Sequence, residues 1–281
     1  MKRTIIPTFL AMAALVLVSA CSQDDNSLVT NTDSAQTFSI TVADGGYAPT
    51  AGEKSGTRAT ENSYTTQFTA GDNIGVYAVK DGAVVTDVNN LCLVATDDDK
   101  GGITWKTTEG KTPLYIPDAI YYAYYPWQSA TYMADKVTVP ASEANTFFNP
   151  LISGWSPGTK QTTYSEYTAS DLMIANSTPS GKTLSFSMQH CMALVVIALP
   201  YKTDADGTPF PASDTKFNDF TPCWMSSTGT YRYLIRPATT QTLSGSYTNA
   251  TPATVEWQFS ANVSAGQYKK YTVDNAIIIP M

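Results

Sequence analysis

Leu184-Ser185-Phe186-Ser187-Met188-Gln189-His190-Cys191-Met192-Ala193-Leu194-Val195-Val196-Ile197-Ala198-Leu199 is the stretch that decides the fold. Successive side chains on a strand point to opposite faces, so period-two alternation assigns each residue a face. Leu184, Phe186, Met188, His190, Met192, Leu194 and Val196 share one face. The other face opens with Ser185, Ser187 and Gln189 and turns apolar at Cys191, Ala193, Val195 and Ile197. A strand that begins half-exposed and ends buried on both faces is central to its sheet. Read as one continuous strand, it follows a breaker at Pro179–Lys182, where a domain boundary is expected.

Other strand-like runs lie on either side. Strand signals begin at Phe38, where Phe38, Ile40 and Val42 alternate with Ser39 and Thr41. They recur at 74–79, 91–95, 120–125, 136–139, 172–175, 231–235, 255–259 and 268–279. Turn residues such as Lys80-Asp81-Gly82 and Asp98–Gly102 separate them. No segment carries a sustained helical period with caps. The expectation is an all-β chain of two tandem Greek-key β-sandwiches, spanning 37–181 and 182–281.

The N-terminus reads as an export signal. Lys2 and Arg3 precede an apolar run from Ile5 to Val18, and Ser19-Ala20-Cys21 follows. The run is shorter than the roughly 20 apolar residues of a spanning helix, and its layout is that of a cleaved secretory signal. The cysteine after Ser-Ala resembles a bacterial lipobox. Residues 1–20 are then a lipoprotein signal, with Cys21 lipidated and anchored to the outer membrane. Several acyl chains, each worth about 0.8 kcal/mol per buried CH₂, hold a protein stably on a bilayer. Residues 21–36 are small and polar and read as a flexible tether.

Composition narrows the function classes. The precursor carries a net charge of −7, which becomes −9 when the signal leaves with its two positive residues. An acidic surface without a basic patch argues against nucleic acid as a partner. Hydrophobic residues make up 43% and charged residues 15%, which suits a folded secreted β-protein. Beyond Cys21 the cysteines are Cys92, Cys191 and Cys223. A single Cys191–Cys223 bridge and three free buried thiols both fit that count, and the second is preferred. The spacing fits no structural zinc site, so no metal or cofactor is expected.

The residues of hydrolytic chemistry are sparse. His190 is the only histidine and sits on an apolar strand face, which suits a buried, hydrogen-bonded core residue. Asp97-Asp98-Asp99 precedes Lys100-Gly101-Gly102 and reads as a solvated turn. Asp72 reads as turn chemistry feeding the strand at Ile74, and Asp171 as structural. These observations argue against an enzyme. Tyr121, Tyr122, Tyr124, Tyr125 and Trp127 read as a core strand with polar phenol tips. Tyr132, Trp155, Tyr164 and Tyr167 are the candidate glycan contacts, since 146–170 reads as a long polar-aromatic loop.

Several segments together resemble the fimbrillins of the Bacteroidales, the minor-fimbrillin-like group. They are Cys21-Ser22-Gln23-Asp24-Asp25, Thr57-Arg58-Ala59, Phe68-Thr69-Ala70-Gly71-Asp72-Asn73-Ile74-Gly75-Val76-Tyr77 and Tyr121-Tyr122-Ala123-Tyr124-Tyr125-Pro126-Trp127. Ser170-Asp171-Leu172-Met173 and Phe186-Ser187-Met188-Gln189-His190-Cys191-Met192 continue the series. The resemblance implies transthyretin-like sandwiches, export as a lipoprotein and assembly into pili with other fimbrillin subunits. It also implies cleavage between Arg58 and Ala59, which removes a first strand bearing Phe38, Ile40 and Val42. A neighbour's strand would then fill the groove by β-augmentation. In this chain the donor candidate is 271–281, with Val273, Ile277, Ile278 and Ile279. Closure of its own domain by that segment is the competing assignment. Asp33-Ser34-Ala35 resembles an O-glycan acceptor and marks Ser34. The alternative function is a lipoprotein that never polymerises and binds a glycan or a ligand on a host or bacterial surface.

Overall fold

The computed structural model describes residues 39–51, 64–98, 100–110, 115–200, 202–203, 209–210, 214–248, 254–274 and 277–280. The first strands are β1 (Ser39–Asp44), β2 (Ala48–Pro49), β3 (Asn73–Lys80), β4 (Ala83–Val84), β5 (Leu91–Asp97), β6 (Ile103–Thr107) and β7 (Ile120–Tyr125). Four short helices follow: α1 (Ala130–Met133), α2 (Ala144–Phe147), α3 (Asn149–Gly154) and α4 (Tyr164–Ala169). Next come β8 (Met173–Ser177), β9 (Thr183–His190), β10 (Ala193–Ala198), β11 (Lys202–Thr203), β12 (Pro209–Phe210), β13 (Lys216–Asn218) and β14 (Cys223–Met225). The chain ends through β15 (Thr230–Ile235), β16 (Gln241–Thr248), β17 (Thr254–Ala261), β18 (Gln267–Asp274) and β19 (Ile277–Pro280). The expected all-β sandwich architecture holds.

The first sheet runs β1-β9-β8-β7-β3-β5-β6, with β4 hairpinned on β3 through Asp81-Gly82. Both turn residues have positive φ, 51° and 77°, which a two-residue type I′ hairpin requires. This sheet curls around a core of Ile40, Ile74, Val76, Tyr121, Ala123, Leu184 and Phe186. The second sheet runs β14-β15-β10-β18-β19, and the third β13-β16-β17. Between these two lies a core built on Val195, Ile197, Tyr233, Leu243, Trp257 and Val273. A further core joins the outer face of the first sheet (Tyr77, Tyr122, Tyr124) to Leu194 and Val196 of β10.

The stretch 184–199 is two strands, not one. β9 belongs to the first sheet and has the half-exposed alternation, while β10 is central to the second and buried on both faces. The break falls at Cys191-Met192. There the Cys191 N–H donates to the Leu172 carbonyl (2.7 Å), and the Met192 carbonyl accepts from the Gly266 N–H (2.9 Å). One bond holds the chain to the first sheet and the next to the second. The change of sheet therefore lies at 191–192, and Thr183–His190 pairs with strands assigned to 37–181 rather than with those of 182–281.

Three other expectations change. Residues 136–139 form no strand. The segment 146–170 is largely helical, and Phe147, Phe148, Leu151, Trp155 and Tyr167 pack into the shared core. Its helices span four to six residues, too short to show a period. One signal was present: Thr163 accepts from the Glu166 N–H and Glu166 accepts from the Thr163 N–H, a capping box. The segment 271–281 is not one strand, because β18 and β19 are separate antiparallel partners. The alternation of 120–125 holds as expected, with Tyr121, Ala123 and Tyr125 in one core and Tyr122 and Tyr124 in the other.

Candidate functional site

The N-terminal strap, residues 39–50, is the part of the fold that touches the first two sheets in turn. β1 pairs in parallel with β9, setting Ile40 opposite Leu184, Val42 opposite Phe186 and Asp44 opposite Met188. Parallel pairs are slightly less stable per residue than antiparallel ones. Among the described residues the opposite edge of β1 makes no ladder. It faces β6 across a cleft of about 330 Å³ lined by Val42, Asp44, Phe68, Ile103 and Trp105 among others. The Gly45 N–H then donates to the Met188 carbonyl at 2.8 Å. A Cβ on Gly45 would stand 2.9 Å from that carbonyl oxygen, so only glycine fits the approach. Gly46 turns the chain at φ 73°, and β2 joins β18 in parallel. The N–H groups of Tyr47, Ala48 and Thr50 donate to the carbonyls of Tyr64, Gly266 and Tyr268 and hold this part of the strap in place.

A buried charge cluster fastens the strap where the sheets change. His190 Nδ1 lies 2.9 Å from Asp171 Oδ2, and Nε2 lies 2.8 Å from Asp44 Oδ1. The second contact is an ion pair by distance, but its angle is poor for a hydrogen bond. The His190 and Asp171 side chains are fully buried, and that of Asp44 nearly so. Tyr47 stacks on the imidazole, ring centroids 3.7 Å apart, and its hydroxyl donates to Asp171 Oδ1 at 2.8 Å. Asp44 also accepts from the Gly46 N–H at 2.7 Å and from the Thr66 N–H. Arg232 is buried and lies 4.7 Å from the ring of Tyr64.

Burial is the largest influence on His190 and opposes its charge. Asp171 first and Asp44 second together outweigh it and push the imidazole up to about 9. For Asp44 burial again opposes charge, but the close contact with His190, its positive charge and two backbone N–H groups hold the carboxyl below its ordinary value. Burial and the neighbouring Asp171 push the Tyr47 phenol well up. The sign of the pH dependence follows from linkage. A raised imidazole stabilises the fold fully below its unfolded value near 6.5, and that contribution is lost as pH rises through about 9. A lowered Asp44 contributes above about 3.8 and is lost as pH falls through its folded value. The advantage of the wild type over His190→Gln in urea midpoint is therefore expected to be greatest between about pH 4 and 6.5. It should shrink toward pH 10, and a flat difference would contradict the linkage.

The other sequence-selected residues fall as follows. Ile40 is buried and Val42 half-buried on the inward face of β1. Val273 is buried in β18, and 277–280 pair with β18 at the sheet edge. Tyr132 and Tyr164 are exposed, 38% and 47%, but Trp155 and Tyr167 are only 7% and 3% accessible. Trp155 Nε1 donates inward to the Ser170 carbonyl at 3.0 Å. The four therefore form no aromatic platform, because core packing takes two of them. Cys21, Ser34, Phe38, Arg58 and Ala59 lie outside the described residues, as do the side chains of Ile277, Ile278 and Ile279. Cys92, Cys191 and Cys223 are free thiols. Asp98 accepts from the Lys100 and Gly102 N–H groups of its own turn. Asp72 accepts from the Thr69 N–H, the turn chemistry expected of it. Among the described residues no group of three His, Cys, Asp or Glu is arranged to hold a metal ion. Sequence reading missed Asp44 and Tyr47, whose partners stand more than 120 residues away.

The fold has counterparts among known proteins. The fimbrillin-like family description matches residues 57–281. A Bacteroides ovatus protein named as a candidate fimbrium tip subunit, Fim1C, is 30% identical, covering 94% of this chain and 51% of its own length. A fimbrial protein from Bacteroides ovatus superposes with a TM-score of 0.65 at 27% identity, over 86% of this chain and 49% of that one. A candidate cell adhesion protein from the same species shares the fold, with a TM-score of 0.53 at 14% identity over 88% and 96%. The chain spans about half the length of the curated relative it matches. With most of its length matched and its strands superposing on a fimbrial protein, the chain belongs to the fimbrillin-like family.

Proposed function

We propose that this chain is a structural fimbrial subunit that polymerises by replacement of its own first strand. The observation that carries the reading is β1. Among the described residues it is an edge strand, paired in parallel with β9 on one side, and it forms one wall of an open cleft. Removing it exposes the backbone of β9 and the inward faces of Leu184 and Phe186, a slot that accepts an extended segment by β-augmentation.

In this reading the chain is exported as a lipoprotein, with Cys21 acylated and the chain held at the outer membrane until processing. An Arg-specific protease cuts between Arg58 and Ala59, which frees the lipid and β1 together. Neighbouring fimbrial subunits are the partners, adhesion at the cell surface is the outcome, and no enzymatic step is involved. The division into an N-terminal and a C-terminal sandwich belongs to the same proposal, with the junction moved to 191–192. N-terminal sequencing of fibres from the native host is the test. Subunits are expected to begin at Ala59, and Arg58→Ala should leave lipid-anchored monomer. Fibres whose subunits still begin at Cys21 would refute the cleavage step.

A further inference from the structure

We infer, on the strand-replacement reading, that the cleft between β1 and β6 is where the incoming strand of a neighbouring subunit docks, so that β1 is displaced from β9 step by step and not lost beforehand. Both long walls of the cleft are strand edges. β6 pairs with β5 on one side and, among the described residues, with no strand on the other. The Ser39 and Gly45 N–H groups donate to the Lys182 and Met188 carbonyls on the β9 side. Backbone groups alternate in direction along a strand, so those of Ile40, Val42 and Asp44 point away from β9, toward the cleft. Two facing rows of main-chain donors and acceptors are complementary to an extended peptide. Between them the core of the first sheet is incompletely covered. Val42, Phe68 and Ile103 pack against that core and stay partly exposed. Phe68 stands edge-on to the buried Trp105, ring centroids 5.5 Å apart.

The size of the cleft makes it a foothold. From strand rise, strand spacing and sheet thickness an extended residue fills roughly 160 Å³, so a volume of about 330 Å³ holds roughly two. Further residues can enter only as β1 yields. Losing the strap first would break the six-residue ladder of β1 at once and bare Leu184, Phe186 and Met188, all now buried. In a stepwise exchange the newcomer takes each rung as β1 releases it, and little apolar surface meets water at any moment. Thr41, Val42, Ala43 and Asp44 line the cleft, so entry falls at the end of β1 that bears Asp44. That end can open first, because His190 Nδ1 keeps Asp171 at 2.9 Å when Asp44 departs. The newcomer needs apolar side chains for the pockets of Ile40 and Val42, and no acidic one is demanded of it.

The test follows strap exchange on the isotopically labelled full chain nicked after Arg58, with an unlabelled synthetic peptide of residues 38–50 as the incoming strand. Native mass spectrometry reads the loss of the labelled strap. Its rate is expected to rise in proportion to peptide, about tenfold between about 10 and about 100 µM, as for a bimolecular encounter. The slope of rate against concentration reports entry beside a seated β1, and the intercept reports the strap leaving by itself. A zero slope with exchange still proceeding overturns the inference and leaves strand replacement standing. Ile103→Lys puts a cation into the β6 wall, away from β9, and should lower the slope at least about tenfold, since an encounter rate is sensitive to the docking patch. A slope unchanged within about twofold in that variant overturns the cleft as the point of entry, whatever the intercept does. If the cut strap is exchanged at no peptide concentration, strand replacement itself fails, and the docking site with it.

Discussion

Asp171→Asn is expected to lower the unfolding free energy by about 3–5 kcal/mol, the range for removing one partner of a buried ion pair. The substitution keeps the shape and removes only the charge. Asp171 holds His190 Nδ1 at 2.9 Å and accepts the Tyr47 hydroxyl at 2.8 Å, and its side chain is fully buried. Without it the imidazolium keeps Asp44 alone, through the more poorly angled contact. The damage should concentrate in the strap, because Asp44 and Tyr47 both belong to it. Urea denaturation gives the total, and limited proteolysis should cut within residues 45–61 well below the urea midpoint. Pairing with His190→Gln separates the ionic part, since the double variant should lose at least about 1 kcal/mol less than the sum of the single losses. A loss under about 1 kcal/mol for Asp171→Asn would mean that the cluster does not fasten the strap.

What the sequence could and could not reveal follows from the range of each interaction. Alternation is local, so the faces of Tyr121–Tyr125 and the buried character of Ala193–Ile197 were readable from a few neighbours. The division of 184–199 was not, because nothing within the stretch marks it. Bonds to Leu172 and Gly266, distant in sequence, redirect the chain. β16 escaped notice for a related reason. Its inward residues are Leu243, Gly245 and Tyr247, and a glycine in the middle position breaks the apolar alternation. Two of the segments that carried the family resemblance, 170–173 and 186–192, prove to meet at Asp171 and His190. The resemblance marked those residues without giving the physical cause, which is a shared buried charge. Asp44 lies in none of the quoted segments, and only the register of β1 on β9 brings it to His190.

Gly75 shows the same limit at a single residue and carries the second large prediction. It stands in the middle of β3, opposite Tyr124 of β7. A Cβ built on it would fall 2.0 Å from Tyr124 Cε1, 2.5 Å from Cζ and 2.8 Å from the hydroxyl. Tyr124 packs its ring over the bare glycine backbone, a known way of filling the space a strand glycine leaves. The ring has little room to move. Its hydroxyl donates to Asn90 Oδ1 at 2.7 Å and accepts from the Gln128 N–H at 3.0 Å, and Phe148 packs beside it at 5.4 Å. Gly75→Ala should therefore destabilise the first sheet by about 3 kcal/mol, the upper part of the range for overpacking a core. In a domain of this size that is a fall in Tm of about 6–12 °C. Ordinary strand propensity predicts the reverse, because alanine restricts the unfolded chain more than glycine does. In a Tyr124→Leu background the ring and its hydrogen bonds are already gone, and adding Gly75→Ala should cost less than about 1 kcal/mol. Equal losses in both backgrounds would show that the glycine is needed for its backbone and not for the ring above it.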